Sequence, residues 1–101
     1  FFPRNVLRKY NKTLSDDEKL SEEEINSLAN ITILNPNQKA FRTEPYDYIR
    51  RYNISRDLLE QQFIPTHDEN LWKVENYRKF LKERARLMVK GINSFLDSLK
   101  D

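Results

Sequence analysis

LWKVENYRKFLKERARLMVKGINSFLDSL, residues 71–99, decides the fold class. In it Val74, Tyr77, Leu81, Ala85, Met88, Ile92, Phe95 and Leu99 follow one another at steps of three or four. Side chains at that spacing stack on one side of a 3.6-residue turn, so the stretch reads as one long amphipathic helix. Gly91 lies inside it, costs about 1 kcal/mol relative to alanine there and marks a candidate bend. Asp68 and Asn70 are the candidate caps at its start.

Shorter elements precede it. Ser55 predicts a helix over 56–63 with Leu58, Leu59 and Phe63 inward, and Pro45 opens another over 45–52 with Tyr46, Ile49 and Tyr52 on one side. A helical stretch is expected at 37–42. Ile31 to Leu34 read as a short buried strand or extended segment, closed by Pro36. Ser21 with Glu24 is a capping-box pattern that starts a helix with Ile25, Leu28 and Ala29 inward. Residues 11–20 are polar loop, and Pro3 begins a helix over 3–10 that shares Val6, Leu7 and Tyr10 on one face. The expected fold class is mainly α: a small helical domain spanning 1–101, with the long C-terminal helix packed on the helices at 45–52 and 56–63, and at most a short strand or hairpin remnant.

Composition narrows the function classes. A chain of 101 residues suffices for one core, and six Phe, five Tyr and one Trp argue against disorder. One Gly and four Pro disfavour a β-sandwich or barrel. The absence of Cys excludes disulfides and thiolate zinc sites, and a single His excludes a multi-histidine metal site within the chain. No apolar run approaches the ~20 residues that span a bilayer and no signal peptide is visible, so a cytoplasmic protein without membrane partners is expected. His67, between Thr66 and Asp68, reads as an exposed loop residue or cap.

The net charge is +2, but its distribution is uneven. Residues 16–24 hold six acids and one base, residues 73–90 seven bases and two acids, and residues 39–56 five bases and two acids. Arg78, Lys82, Arg86 and Lys90 form a stripe along the long helix and are the candidate nucleic-acid-binding residues. The competing reading is a solvated face, partly neutralised by Glu75 with Lys79 and Glu83 with Arg86. Tyr46, Tyr48, Tyr52, Trp72, Tyr77 and Phe80 have either base stacking or core packing open to them, and their helical spacing favours the core.

Asn30, Asn35 and Asn37 flank the apolar segment 31–34. Asparagine is common at helix ends and turns, where its side chain satisfies nearby backbone groups. A second reading comes from the order of motifs. FFP at 1–3, INSLANITIL at 25–34, the Asn, Lys and EPYDYI run at 37–49, FIP at 63–65 and the long segment at 71–96 resemble the C-terminal part of GmrSD-like modification-dependent restriction endonucleases. The resemblance covers almost all of the chain; each motif is short, and INSLANITIL is the most specific.

That family carries a bacterial HNH-type (ββα-metal) nuclease region, in which an Asp-His pair stands directly before a hydrophobic-hydrophobic-Pro triplet. The resemblance matches the triplet to Phe1, Phe2 and Pro3, so the chain is expected to be truncated just after the pair. It implies that Asn30 orients the absent catalytic histidine through backbone hydrogen bonds. It also implies a metal-site role for Asn37, with Asn35 or Gln38 as alternatives. In such sites the histidine takes a proton from water while Asp and Asn or His hold one divalent cation, Mg²⁺ or similar, against the scissile phosphate. The resemblance divides the chain into a truncated motif region, 1–43, and a helical extension, 44–101. It implies DNA and the parent's other domains as partners, a divalent metal in the intact parent, and neither metal nor cleavage in this fragment alone. The alternatives are a helical module that binds DNA backbone or protein without catalysis, and a purely structural domain.

Overall fold

The protein is seen as a computed structural model that describes residues 1–32 and 42–100. Its elements are α1 (Arg4–Asn11), α2 (Glu22–Ile25), a 3-10 turn (Leu28–Asn30), α3 (Pro45–Arg51), α4 (Arg56–Gln61), two further 3-10 turns (Glu69–Trp72 and Val74–Asn76) and α5 (Tyr77–Ser98). The fold is mainly helical with one long C-terminal helix, and no strand occurs among the described residues.

Local chemistry fixes most helix ends. The carbonyl of Pro3 accepts from the amides of Val6 and Leu7, both at 3.1 Å, and so starts α1. The capping box forms in full: Ser21 Oγ accepts from the Glu24 amide at 3.1 Å, and Glu24 Oε1 accepts from the Ser21 amide at 3.0 Å. Ser55 Oγ accepts from the Leu58 amide and starts α4. Both α3 and α4 close in Schellman motifs, with Ile54 N–H donating to Ile49 O and Ile64 N–H to Leu59 O. The residue in the left-handed conformation is Asn53 (φ 51°) in the first and Phe63 (φ 59°) in the second. Asparagine tolerates that conformation; phenylalanine is unusual there.

One core unites the chain. Phe1, Phe2, Leu7, Leu20, Ile25, Tyr48, Ile49, Leu59, Ile64, Leu71, Trp72, Tyr77 and Phe80 are all buried. Phe1 lies between α3 and α5, stacked on Phe80 at 4.9 Å and edge-on to Tyr48 at 6.1 Å. Phe2 meets Tyr77 and Phe80 edge-on at 5.3 and 5.2 Å. Of the six aromatics weighed as stacking candidates, Tyr48, Trp72, Tyr77 and Phe80 are core. The Tyr46 ring is covered by Arg50 at 3.7 Å and Lys73 at 4.7 Å. Tyr52 is exposed.

Several expectations need correcting. The α-helix starts at Tyr77, not Leu71, because Asp68 caps the 3-10 turn at 69–72 instead, its Oδ1 accepting from the Asn70 amide. The fully buried side of α5 runs through Tyr77, Phe80 and Arg84; Leu81 is partly buried against the same core, whereas Ala85, expected inward, is exposed. Its main neighbours are the turns at 28–30, 69–72 and 74–76, since the Phe1–Phe2 pair occupies the space expected for direct packing on α3. In α3 the inward residues are Pro45, Tyr48 and Ile49. Leu28 is 78% exposed because the chain turns through a 3-10 element instead of continuing α2. Ile31 and Thr32 are not in a strand, and Ile31 is exposed; Ile33 and Leu34 lie outside the described residues, as does 37–41 of the helix expected at 37–42.

Gly91 lies inside the continuous helix α5 and is a platform for Phe63. A Cβ there would lie 2.5 Å from Cε1 of Phe63. Phe63, expected inward, is 42% exposed, with its ring edge over that glycine. Helix propensity alone favours Gly91→Ala by about 1 kcal/mol. The clash opposes it, so the substitution is expected to gain nothing in the native chain and about 1 kcal/mol in a Phe63→Ala background. A urea-denaturation double-mutant cycle measures the difference.

Candidate functional site

The candidate site is built around the Phe1–Phe2 peptide. Ser27 sets it up: its hydroxyl accepts from the Ala29 amide at 3.2 Å and opens the 3-10 turn that ends in Asn30. Asn30 is buried, and its amide side chain does for Phe2 what a neighbouring strand would do. Oδ1 accepts from the Phe2 N–H at 2.7 Å, and Nδ2 donates to the Phe2 carbonyl at 2.9 Å. An Asn amide has the donor and acceptor geometry of a peptide group, so it pairs with both at once. The Phe1 nitrogen donates to the Asn30 carbonyl. From α3, the Tyr48 hydroxyl donates to the Phe1 carbonyl at 2.6 Å. Burial pushes the Tyr48 phenol up, so it stays a donor.

Arg84 supports this arrangement from behind. It is 3% exposed, and its guanidinium faces carbonyls rather than a carboxylate. Nη1 donates to Ala29 O at 2.8 Å and to Ile31 O at 2.5 Å, the two carbonyls flanking Asn30. Nη2 donates to Gln62 O at 3.0 Å, tying the turn to the end of α4. Sequence reasoning counted Arg84 in the basic block but assigned it no role. Its place four residues after Phe80 on the buried side of α5 was the available signal. Among the described residues no buried side-chain nitrogen or oxygen lacks a partner.

The expected basic stripe divides. Arg78 is committed inward, with Nε and Nη2 on the two Glu24 oxygens at 2.7 and 3.2 Å and further bonds to Glu18 O and Lys19 O. Tyr77 completes this cluster by donating to Glu24 O. Arg86 pairs with Glu83 on its own helix at 2.5 Å. Among the described residues Lys82 and Lys90 have no ion-pair partner and are exposed. Asn37, Asn35 and Gln38 lie outside the described residues. Both polar atoms of Asn30 are engaged by Phe2, so that side chain is not a free ligand. No group of three or more His, Asp or Glu side chains that could hold a metal ion occurs among the described residues.

The Arg78 bond, then the Ser21 amide, hold the Glu24 carboxyl down to about 2. A carboxylate whose folded pKa is depressed contributes stability above its unfolded pKa and loses it as pH falls through the folded one. Stability is therefore expected to drop between about pH 4.5 and pH 2, and less steeply in Glu24→Gln. Urea midpoints measured across that window test this.

No helix among the described residues is long and apolar enough to cross a membrane. No family model, curated protein or solved structure matches the chain.

Proposed function

We propose that the chain is the C-terminal part of an HNH-type DNA-cleaving region like that of the GmrSD-like restriction endonucleases, acting in the bacterial cytoplasm. In this reading it supplies the support for a catalytic Asp-His pair placed directly before Phe1, not the pair itself. The observation that carries the reading is the double hydrogen bond from Asn30 to the backbone of Phe2. A general base works only when held within hydrogen-bond reach of the water it deprotonates, so the peptide next to it must be fixed. Here three separate parts of the fold grip that peptide: the 28–30 turn through Asn30, α3 through Tyr48, and α5 through Arg84 acting on the turn. The motif order of the sequence supports the same assignment. The divalent cation of such a nuclease belongs to groups beyond the described residues, and no step here is routed through it.

The test compares the 101-residue chain with the same polypeptide extended by its native upstream residues, on supercoiled plasmid with Mg²⁺ or Mn²⁺. The extended form is expected to nick DNA and to lose that activity when the histidine before Phe1 is replaced. The short form is expected not to nick. The lack of an encoded Asp-His before Phe1, or robust nicking by the short form after exhaustive purification, would overturn the reading.

DNA contact along α5 is a separate part of the proposal. It is favoured by Lys82 and Lys90 beside Arg86, both exposed and without an ion-pair partner among the described residues. Neutralising both lysines is expected to reduce the slope of log K against log salt by about 1.8, or about 0.9 for each phosphate that the helix ceases to neutralise. Arg78→Ala is expected to change that slope little, since its charge is already matched by Glu24. An unchanged slope in the double lysine variant removes the stripe from the DNA surface.

A further inference from the structure

The outer half of α5 leaves an apolar face uncovered. Val89, Ile92, Phe95, Leu96 and Leu99 are each 50% to 65% exposed. At roughly 100 Å² per side chain that is on the order of 500 Å², as large as the largest apolar patch of an ordinary monomer. The helix turns a different side to its own domain. Tyr77, Phe80 and Arg84 are buried and Gly91 lies under Phe63, and this line is about a quarter turn away from the exposed stripe. The domain therefore does not compete for the stripe.

We propose that a second copy of this chain covers it, the two α5 helices pairing antiparallel about Ile92. Three observations select that occupant. First, Ala85, Met88, Ile92, Phe95 and Leu99 alternate steps of three and four, the 3.5-residue period of a seam that packs against another helix. Second, two such faces together remove on the order of 1,000 Å², the threshold for a specific interface. Third, the helix dipoles select the orientation: they oppose one another when the two helices run antiparallel and lie side by side in the same sense when they run parallel. The inference does not depend on the nuclease reading.

Light scattering on the 101-residue chain at roughly 100 µM is expected to give twice the monomer mass, and the mass is expected to fall on dilution. Ile92→Glu and Phe95→Glu are expected to be monomeric with unchanged helical circular dichroism, because both side chains are exposed in the monomer. The chain has no cysteine, so orientation is read separately with single-cysteine variants. Ala85→Cys mixed with Leu99→Cys is expected to cross-link on oxidation, and neither alone. That arm leaves Ile92 and Phe95 intact, so it stands even if a glutamate variant unfolds. A monomeric parent chain overturns the pairing and assigns the face to another polypeptide segment. A dimer that survives Ile92→Glu overturns the interface. Efficient cross-linking of Ala85→Cys with itself overturns the orientation.

Discussion

Replacing Arg84 with methionine is expected to lower the unfolding free energy by about 2–4 kcal/mol. Two effects oppose each other. Burying a guanidinium away from a counter-charge is costly, and burial pushes the Arg84 pKa down accordingly. Removing it relieves that cost. Against this, Arg84 serves the carbonyls of Ala29, Ile31 and Gln62 together. Hydrogen bonds from a charged donor contribute about 1.5–3 kcal/mol each, and a buried carbonyl left without a donor costs about 1–3 kcal/mol. Three partners outweigh one desolvated cation, so the bonds win. Methionine keeps the apolar stem, which separates bonding from packing. Arg84→Ala should therefore lose more than Arg84→Met. Arg84→Lys should recover only part, since an ammonium group cannot reproduce the planar fork that spans three carbonyls. Urea denaturation with an unchanged m-value measures this, and an Arg84→Met chain as stable as the parent would contradict it.

Arg84 also shows where the sequence stops being legible. The helix was readable because its apolar period persists for 26 residues from Val74 to Leu99. Which side faces the domain was not readable. The apolar residues of α5 cover two faces, one for this domain through Tyr77 and Phe80, the other running out to Leu99. Period alone merges them, and an arginine at position 84 reads as a break in the pattern instead of its next buried residue. The ends of α3 and α4 make the same point at smaller scale. Asn53 announces a left-handed C-terminal residue, whereas Phe63 hides one, because its cost is offset by packing on Gly91, 28 residues away.

Charge was legible only where partners are local. Glu83 and Arg86 pair as their spacing suggests. Arg78 looked like part of the same solvated stripe, but its partner is Glu24, 54 residues earlier, brought close by Ile25 and Tyr77 packing into one core. A capping box thus has two duties: it starts α2 and it presents a carboxylate to α5. Asn30 was singled out by residue type and motif order. The local account, a turn-capping asparagine, is not what the structure shows, since the side chain reaches back 28 residues to Phe2.

That reach makes Asn30→Ala the second large effect. The substitution strips partners from both the N–H and the C=O of Phe2, a residue 2% exposed. Each orphaned backbone group costs about 1–3 kcal/mol, so a loss of roughly 3 kcal/mol is expected. Asn30→Asp should not rescue it. A carboxylate still accepts from the Phe2 N–H, but it has no donor for the Phe2 carbonyl and brings an unpaired negative charge into the interior. Hydrogen exchange localises the effect: the Phe2 amide should lose protection in Asn30→Ala well before amides in the middle of α5 do. If the proposed function holds, the upstream-extended protein carrying Asn30→Ala should cleave DNA about 10- to 100-fold more slowly, the size of loss typical when a group that orients an active-site residue is removed. Its DNA affinity should be unchanged, because Asn30 is buried and meets no substrate. A variant that loses stability but cleaves normally would leave Asn30 as a structural clamp and remove it from the nuclease proposal. A variant within about 0.5 kcal/mol of the parent would mean that water or a backbone shift replaces both bonds, so that the grip on Phe2 lies with Tyr48 and the buried rings of Phe1 and Phe80.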